Sequence, residues 1–168
     1  MLGEGPSSAR LMMVGEQPGD KEDLAGKPFV GPAGILLDRA LEDAGIDRAD
    51  VYLTNAVKHF KFEERGKRRI HKAPSTTEIV ACKPWLLAEV QLVQPEMIVC
   101  LGATAARAVL GKEHQLLKER GHFFPNSLAK LVTATVHPSA ILRSRDEESR
   151  RESYAAFVRD LKAVRNKL

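Results

Sequence analysis

Glu16 and Gln17 stand between two glycines in Gly15-Glu16-Gln17-Pro18-Gly19, directly after an apolar run. A carboxylate there can act as a base or stabilise a developing cation. A lone acid after a strand serves equally well as a turn or helix cap. Asn55 closes a second apolar run, and its amide offers a donor and an acceptor in the plane of a nucleobase. An Asx-turn would use the same group. His137, before Pro138, ends another run with a backbone biased to be extended; a satisfied core histidine is the plainer reading. Phe29, among Pro28, Gly31 and Pro32, reads as an exposed aromatic in a rigid loop, able to stack on a base. Core packing accounts for it equally. Together an acid, an amide, a histidine and an aromatic ring describe a pocket for a flat polar ring, which suits a flipped-out base.

A cationic stretch adjoins this set. Arg65-Gly66-Lys67-Arg68-Arg69-Ile70-His71-Lys72 holds five Lys or Arg in eight residues. From Lys58 to Lys72 there are seven such cations against Glu63 and Glu64, a local surplus larger than the +4 of the whole chain. No apolar period runs through it, and Gly66 and Pro74 punctuate it, so it reads as a loop. Charge runs are usually solvated surface. One concentrated beside candidate reactive groups points to a polyanion, most simply a nucleic-acid backbone.

Other motifs are excluded. The Gly15–Gly19 loop lacks the order of a dinucleotide fingerprint, there is no P-loop, and neither His59/His71 nor His114/His122 has metal-ligand spacing. Two cysteines do not make a disulfide framework, and no apolar run approaches the ~20 residues that span a bilayer. With 43% hydrophobic and 29% charged residues, the chain reads as one soluble domain over 1–168 in a reducing compartment; a cytoplasmic monomer is the expectation, although the sequence does not itself give the oligomeric state.

The elements that must position these groups alternate. Strands are predicted at Leu11–Val14, Val51–Thr54, Met97–Leu101 and Leu131–Val136. Helices are predicted at Ile35–Leu41, from the capping box Ser75-Thr76-Thr77-Glu78 to Val93, over Ala103–Leu110 and from Glu147 to Val164. Lys112–Asn126 has no clear pattern. This is an α/β chain with a mostly parallel sheet between helices, and ligands of such sheets sit beyond the carboxyl ends of the strands. The loops at Gly15, Asn55, Gly102 and His137 leave those ends.

The ordered motifs Gly15-Glu16-Gln17-Pro18-Gly19, Pro28-Phe29-Val30-Gly31-Pro32-Ala33-Gly34, Thr54-Asn55, Leu101-Gly102 and His137-Pro138-Ser139 resemble the uracil-DNA glycosylase superfamily, especially its iron–sulfur family 4. Lys67-Arg68-Arg69-Ile70-His71 resembles the insertion that marks family X, and Glu16-Gln17 fits that subgroup. The resemblance implies a three-layer αβα fold around a central four-stranded parallel sheet. It implies excision of uracil from DNA, single-stranded DNA being the expected form. It further implies a covalent link between His71 and C1′ of the abasic sugar. In that scheme Glu16 and His137 are catalytic, with Gln17, Asp20, Phe29 and Asn55 against the substrate. Lys58, Lys67, Arg68 and Arg69 would lie along the DNA. The family also implies a 4Fe-4S cluster on four cysteines, of which Cys82 and Cys100 fit one pair. A preceding Cys-x-x-Cys pair is missing from this chain, whose start is expected to be truncated if a cluster is assembled at all. Two other readings are a conventional turnover glycosylase and a uracil-DNA binding module without cleavage.

Overall fold

The computed structural model describes residues 1–168. Its main sheet holds β1 (Leu11–Gly15), β2 (Val51–Asn55), β5 (Met97–Leu101), β7 (Leu131–Thr135) and a two-residue β6 (Phe123–Phe124). The order is β2-β1-β5-β7-β6. The first four pair in parallel, as expected; β6 adds a fifth strand, antiparallel to β7. A two-residue strand lies below the length at which an apolar run announces itself.

Each parallel strand is buried on both faces, and the two-residue period sorts its side chains into two layers. Met13, Leu53, Val99 and Leu101 face Leu37, Leu41, Phe157 and Leu161, from α2 (Pro32–Ala44) and α7 (Glu147–Lys167). Met12, Val14, Ile98 and Cys100 face Leu86, Val90, Ala105 and Ala106, from α3 (Thr76–Val93) and α4 (Ala103–Leu110). The result is the three-layer αβα arrangement. No helix is long and apolar enough to cross a membrane.

The cationic stretch is not a loop. It is an antiparallel hairpin, β3 (Phe62–Arg65) and β4 (Arg68–His71), turned at Gly66-Lys67 with Gly66 at φ 62. A glycine with positive φ at the first turn position is what a two-residue hairpin turn asks for. Both strands lie almost wholly in solvent, so neither face needs apolar residues and the alternation that betrays a strand is missing. Short helices α1 (Asp20–Ala25), α5 (Leu116–Glu119) and α6 (Pro138–Leu142) complete the chain.

Candidate active site

All four parallel strands deliver their carboxyl ends to one edge. At Gly15 the absence of a side chain is a geometric requirement. A Cβ there would lie 2.5 Å from Asn55 Oδ1 and 2.7 Å from Phe29 Cζ. The Asn55 amide and the Phe29 ring therefore converge over the end of β1. Asn55 is 5% exposed, and its side-chain amide makes no hydrogen bond within the protein, which leaves donor and acceptor free.

Phe29 is not the exposed ring that its loop suggested. It is 8% exposed and belongs to the core layer against α2 and α7. Its φ of 54 lies in the left-handed region, unusual for an aromatic residue. Gly34 accommodates this: a Cβ there would lie 1.8 Å from the Phe29 carbonyl oxygen. Glu22 secures the same loop by accepting from the Gly31 N–H at 2.9 Å. The Phe29 ring is stacked against His137, with centroids 6.0 Å apart and planes at 26°. It is thus core packing and a neighbour of His137 and Asn55 at the strand ends at once.

His137 caps α6, and its Nδ1 accepts from the Ser139 N–H at 3.1 Å, with the Ser139 hydroxyl 2.8 Å away. An Nδ1 used as an acceptor puts the ring proton on Nε2. Burial pushes this imidazole down to about 4, against the partial opposition of Glu16. At neutral pH it is an uncharged donor.

His71 closes the other side. Its Nε2 is 2.9 Å from Glu16 Oε1, while Glu16 Oε2 accepts from the Thr104 hydroxyl at 2.5 Å. Burial alone would raise the Glu16 carboxyl. Hydrogen bonds from His71 and Thr104 hold it below its ordinary value. It is a carboxylate aimed at an imidazole whose side chain is 52% exposed.

Arg69 sets the height of that imidazole. Alternation puts Arg69 and His71 on one face of the hairpin. Arg69 Nε donates to Asp20 Oδ1 at 2.6 Å and Nη1 to Asp23 Oδ2 at 2.8 Å. Its guanidinium also lies over the rings of Phe60 and Phe62, at 5.2 and 5.0 Å. The hairpin is thereby strapped to α1.

Residues 2–162 match the family model described as the uracil DNA glycosylase superfamily. The chain belongs to that superfamily. Among curated relatives, a type-4 uracil-DNA glycosylase of Thermotoga maritima is 41% identical over 152 residues, covering 90% of this chain and 76% of that protein. Proteins of the same description from Pyrobaculum aerophilum and Saccharolobus solfataricus are 36% and 37% identical over 148 residues. They cover 84% and 83% of this chain, and 72% and 65% of the relatives.

Within this superfamily member, several expected contacts are redirected. Lys58, expected on DNA phosphate, is 4% exposed and points inward. Its ammonium donates to Glu89 Oε2 at 2.6 Å and to Thr54 Oγ1 and the Asn55 carbonyl at 2.7 Å. Gln17, expected at the base, has its amide occupied by the hairpin. Nε2 donates to the carbonyls of Lys61 and Lys72, and Oε1 accepts from the Lys61 N–H. Asp20 Oδ1 is held by Arg69 on a side chain that stays 47% exposed, so both residues serve the hairpin. Lys67 and Arg68 sit exposed at the hairpin tip, open to a partner.

The residues present do not fit a four-cysteine cluster. No group of three or more His, Cys, Asp or Glu is placed to hold a metal. Cys100 lies inside the apolar layer beneath α3 and α4, where burial drives its thiol upward, away from the thiolate a cluster needs. Cys82 is buried and accepts from the Lys58 backbone N–H at 3.4 Å. Two thiols leave a four-ligand set incomplete.

Sequence reasoning missed Thr104, Glu22 and Ser139. A signal existed for Thr104. It follows Gly102 by two residues, in the one strand-end loop that offered no other polar group.

Proposed function

We propose that this chain is a uracil-DNA glycosylase that excises uracil and then links itself to C1′ of the abasic sugar through His71. One observation carries the reading: the 2.9 Å contact between His71 and Glu16, beside the strand-end cluster of Asn55, Phe29 and His137. A flipped uracil would lie with its polar edge on the Asn55 amide and its face on Phe29. As the C1′–N1 bond breaks, its electron pair leaves with the base. The neutral Nε2–H of His137 stabilises the charge that develops on O2. C1′ becomes an oxocarbenium centre, and the Glu16 carboxylate lowers its energy.

A lone pair of His71 then forms the N–C1′ bond, and the imidazole proton passes to Glu16. Held in place, that imidazole competes with water through its effective molarity. The type-4 relatives favour a second reading, in which water captures C1′ and the enzyme turns over. To separate the two, the protein is incubated with a uracil-containing single-stranded oligonucleotide and run on a denaturing gel. The shifted band is then digested and its cross-linked peptide sequenced by mass spectrometry. The proposal expects a heat-stable band with the sugar on His71. Free abasic product without a band favours turnover, and retardation only on a native gel favours a binding module.

A further inference from the structure

We propose that Thr104 is a positioning residue for the capture step: its hydroxyl holds one oxygen of Glu16 so that the other faces His71. The inference rests on the function proposed above and extends it to a residue outside its set of reacting groups.

The geometry is a relay of three side chains from three parts of the chain. Thr104 Oγ1 donates to Glu16 Oε2 at 2.5 Å, and Glu16 Oε1 meets His71 Nε2 at 2.9 Å. The terminal torsion of a glutamate is soft, so an unheld carboxylate turns freely and offers either oxygen in many directions. One short hydrogen bond from a side chain only 8% exposed removes that freedom.

The placement of Thr104 is specific. It is the second residue of α4, where the first turn has no helical carbonyl behind it. Its hydroxyl therefore lacks the intrahelical acceptor that threonines deeper in a helix use. Gly102, at φ 94, starts this helix, and a Cβ on it would lie 3.1 Å from Cβ of His137. The same turn thus braces both the donor to the leaving base and the anchor of Glu16.

The role is chemical as well as geometric. When N–C1′ forms, the imidazole must give up its proton, and Glu16 is the acceptor in contact. The hydrogen bond from Thr104 helps keep that carboxyl ionised beforehand. His71, from the hairpin, and His137, from the end of β7, are the titratable groups that face it.

The test compares Thr104→Val, which keeps the shape without the hydroxyl, with Thr104→Ser, which keeps the hydroxyl. Thr104→Ala replaces the valine variant if that one fails to fold. The readout is covalent adducts formed per uracil released. The account expects the ratio to fall about tenfold in Thr104→Val, the scale of losing one hydrogen bond to a charged group, and by more than excision itself falls. Thr104→Ser should restore it. Equal losses of adduct and excision, or no change in the ratio, would overturn the inference. A second readout stands even if the wild type forms no adduct. The titration midpoint of Glu16, followed by carboxyl carbon NMR, should rise in Thr104→Val and return in Thr104→Ser. With no adduct but that shift, the capture reading fails and Thr104 still positions Glu16. An unmoved midpoint sinks the positioning role itself.

Discussion

The strand-end cluster and the hairpin are neighbours built on different physics. The cluster stands on a sheet buried on both faces, and its glycines at 15, 34 and 102 let side chains close to van der Waals distance. The hairpin has almost no apolar burial of its own. It is held by polar fastenings: the Gln17 amide across its open end, Arg69 on Asp20 and Asp23, Lys61 on Glu78, and His71 on Glu16. In the function proposed above, the groups that break the glycosidic bond belong to the first region, and the group that captures the sugar belongs to the second. Capture should therefore be separable from cleavage, and cleavage should not be separable from the fold.

The sharpest break of that comparison is Lys58→Met. It leaves Glu89 charged and buried beneath Asn55, with the Gly3 N–H and the hydroxyls of Tyr52 and Thr54 still around it. Breaking a buried pair this way costs about 3–5 kcal/mol. Urea unfolding should show a loss of that size, with excision falling alongside.

His137→Ala comes next. Losing a donor to the developing oxyanion should slow single-turnover uracil release by about 100- to 1,000-fold, and adduct formation should fall with it. This histidine also sets a pH signature. Its value drops from an ordinary 6.5 to about 4 on folding, so the unfolded chain binds the extra proton first. The stability it contributes is complete above 6.5 and is lost as pH falls towards about 4. Thermal melts over that window should decline in the wild type and flatten in His137→Asn.

Arg69→Ala acts on the other region. Its ion pairs are at the surface, so the melting temperature should hardly move. Adduct yield should drop about tenfold, since removing the strap lets His71 wander from the site, and even small misplacement of a nucleophile is expensive in rate. A matching fall in excision would show that the hairpin is not a separate module.

The smallest effect is expected at the tip. Lys67→Ala with Arg68→Ala should weaken binding to single-stranded DNA uniformly across sequences. It should also flatten the slope of log affinity against log salt by about 0.7 for each phosphate that the two cations neutralise. An unchanged slope would remove both side chains from the DNA path.

The same division explains what the sequence disclosed. Strands such as Met97–Leu101 are continuous apolar runs because both their faces are buried. The capping box at Ser75 and Glu78 formed as written, and α4 spans the predicted Ala103–Leu110 and is capped by Gly111. The strand ends that carry Asn55 and His137 were therefore legible. The hairpin was not, because strands exposed on both faces carry no period. Lys58 looked like one more cation in a basic run. Its burial is decided by Glu89, 31 residues later on another element. The hairpin contacts of Gln17 and Asp20 were hidden for the same reason: their partners, Lys61, Lys72 and Arg69, lie on or beside a hairpin that only the fold brings back to β1.

The central claim, that capture by His71 follows cleavage, is tested most directly by counting uracil released per enzyme for wild type and His71→Ser, with substrate in excess. The wild type should plateau near one equivalent. His71→Ser should pass one equivalent and continue, because Glu16, Asn55 and His137 still lower the barrier and water now takes the sugar. A wild type that turns over freely, or a His71→Ser variant that releases no uracil, would contradict the account.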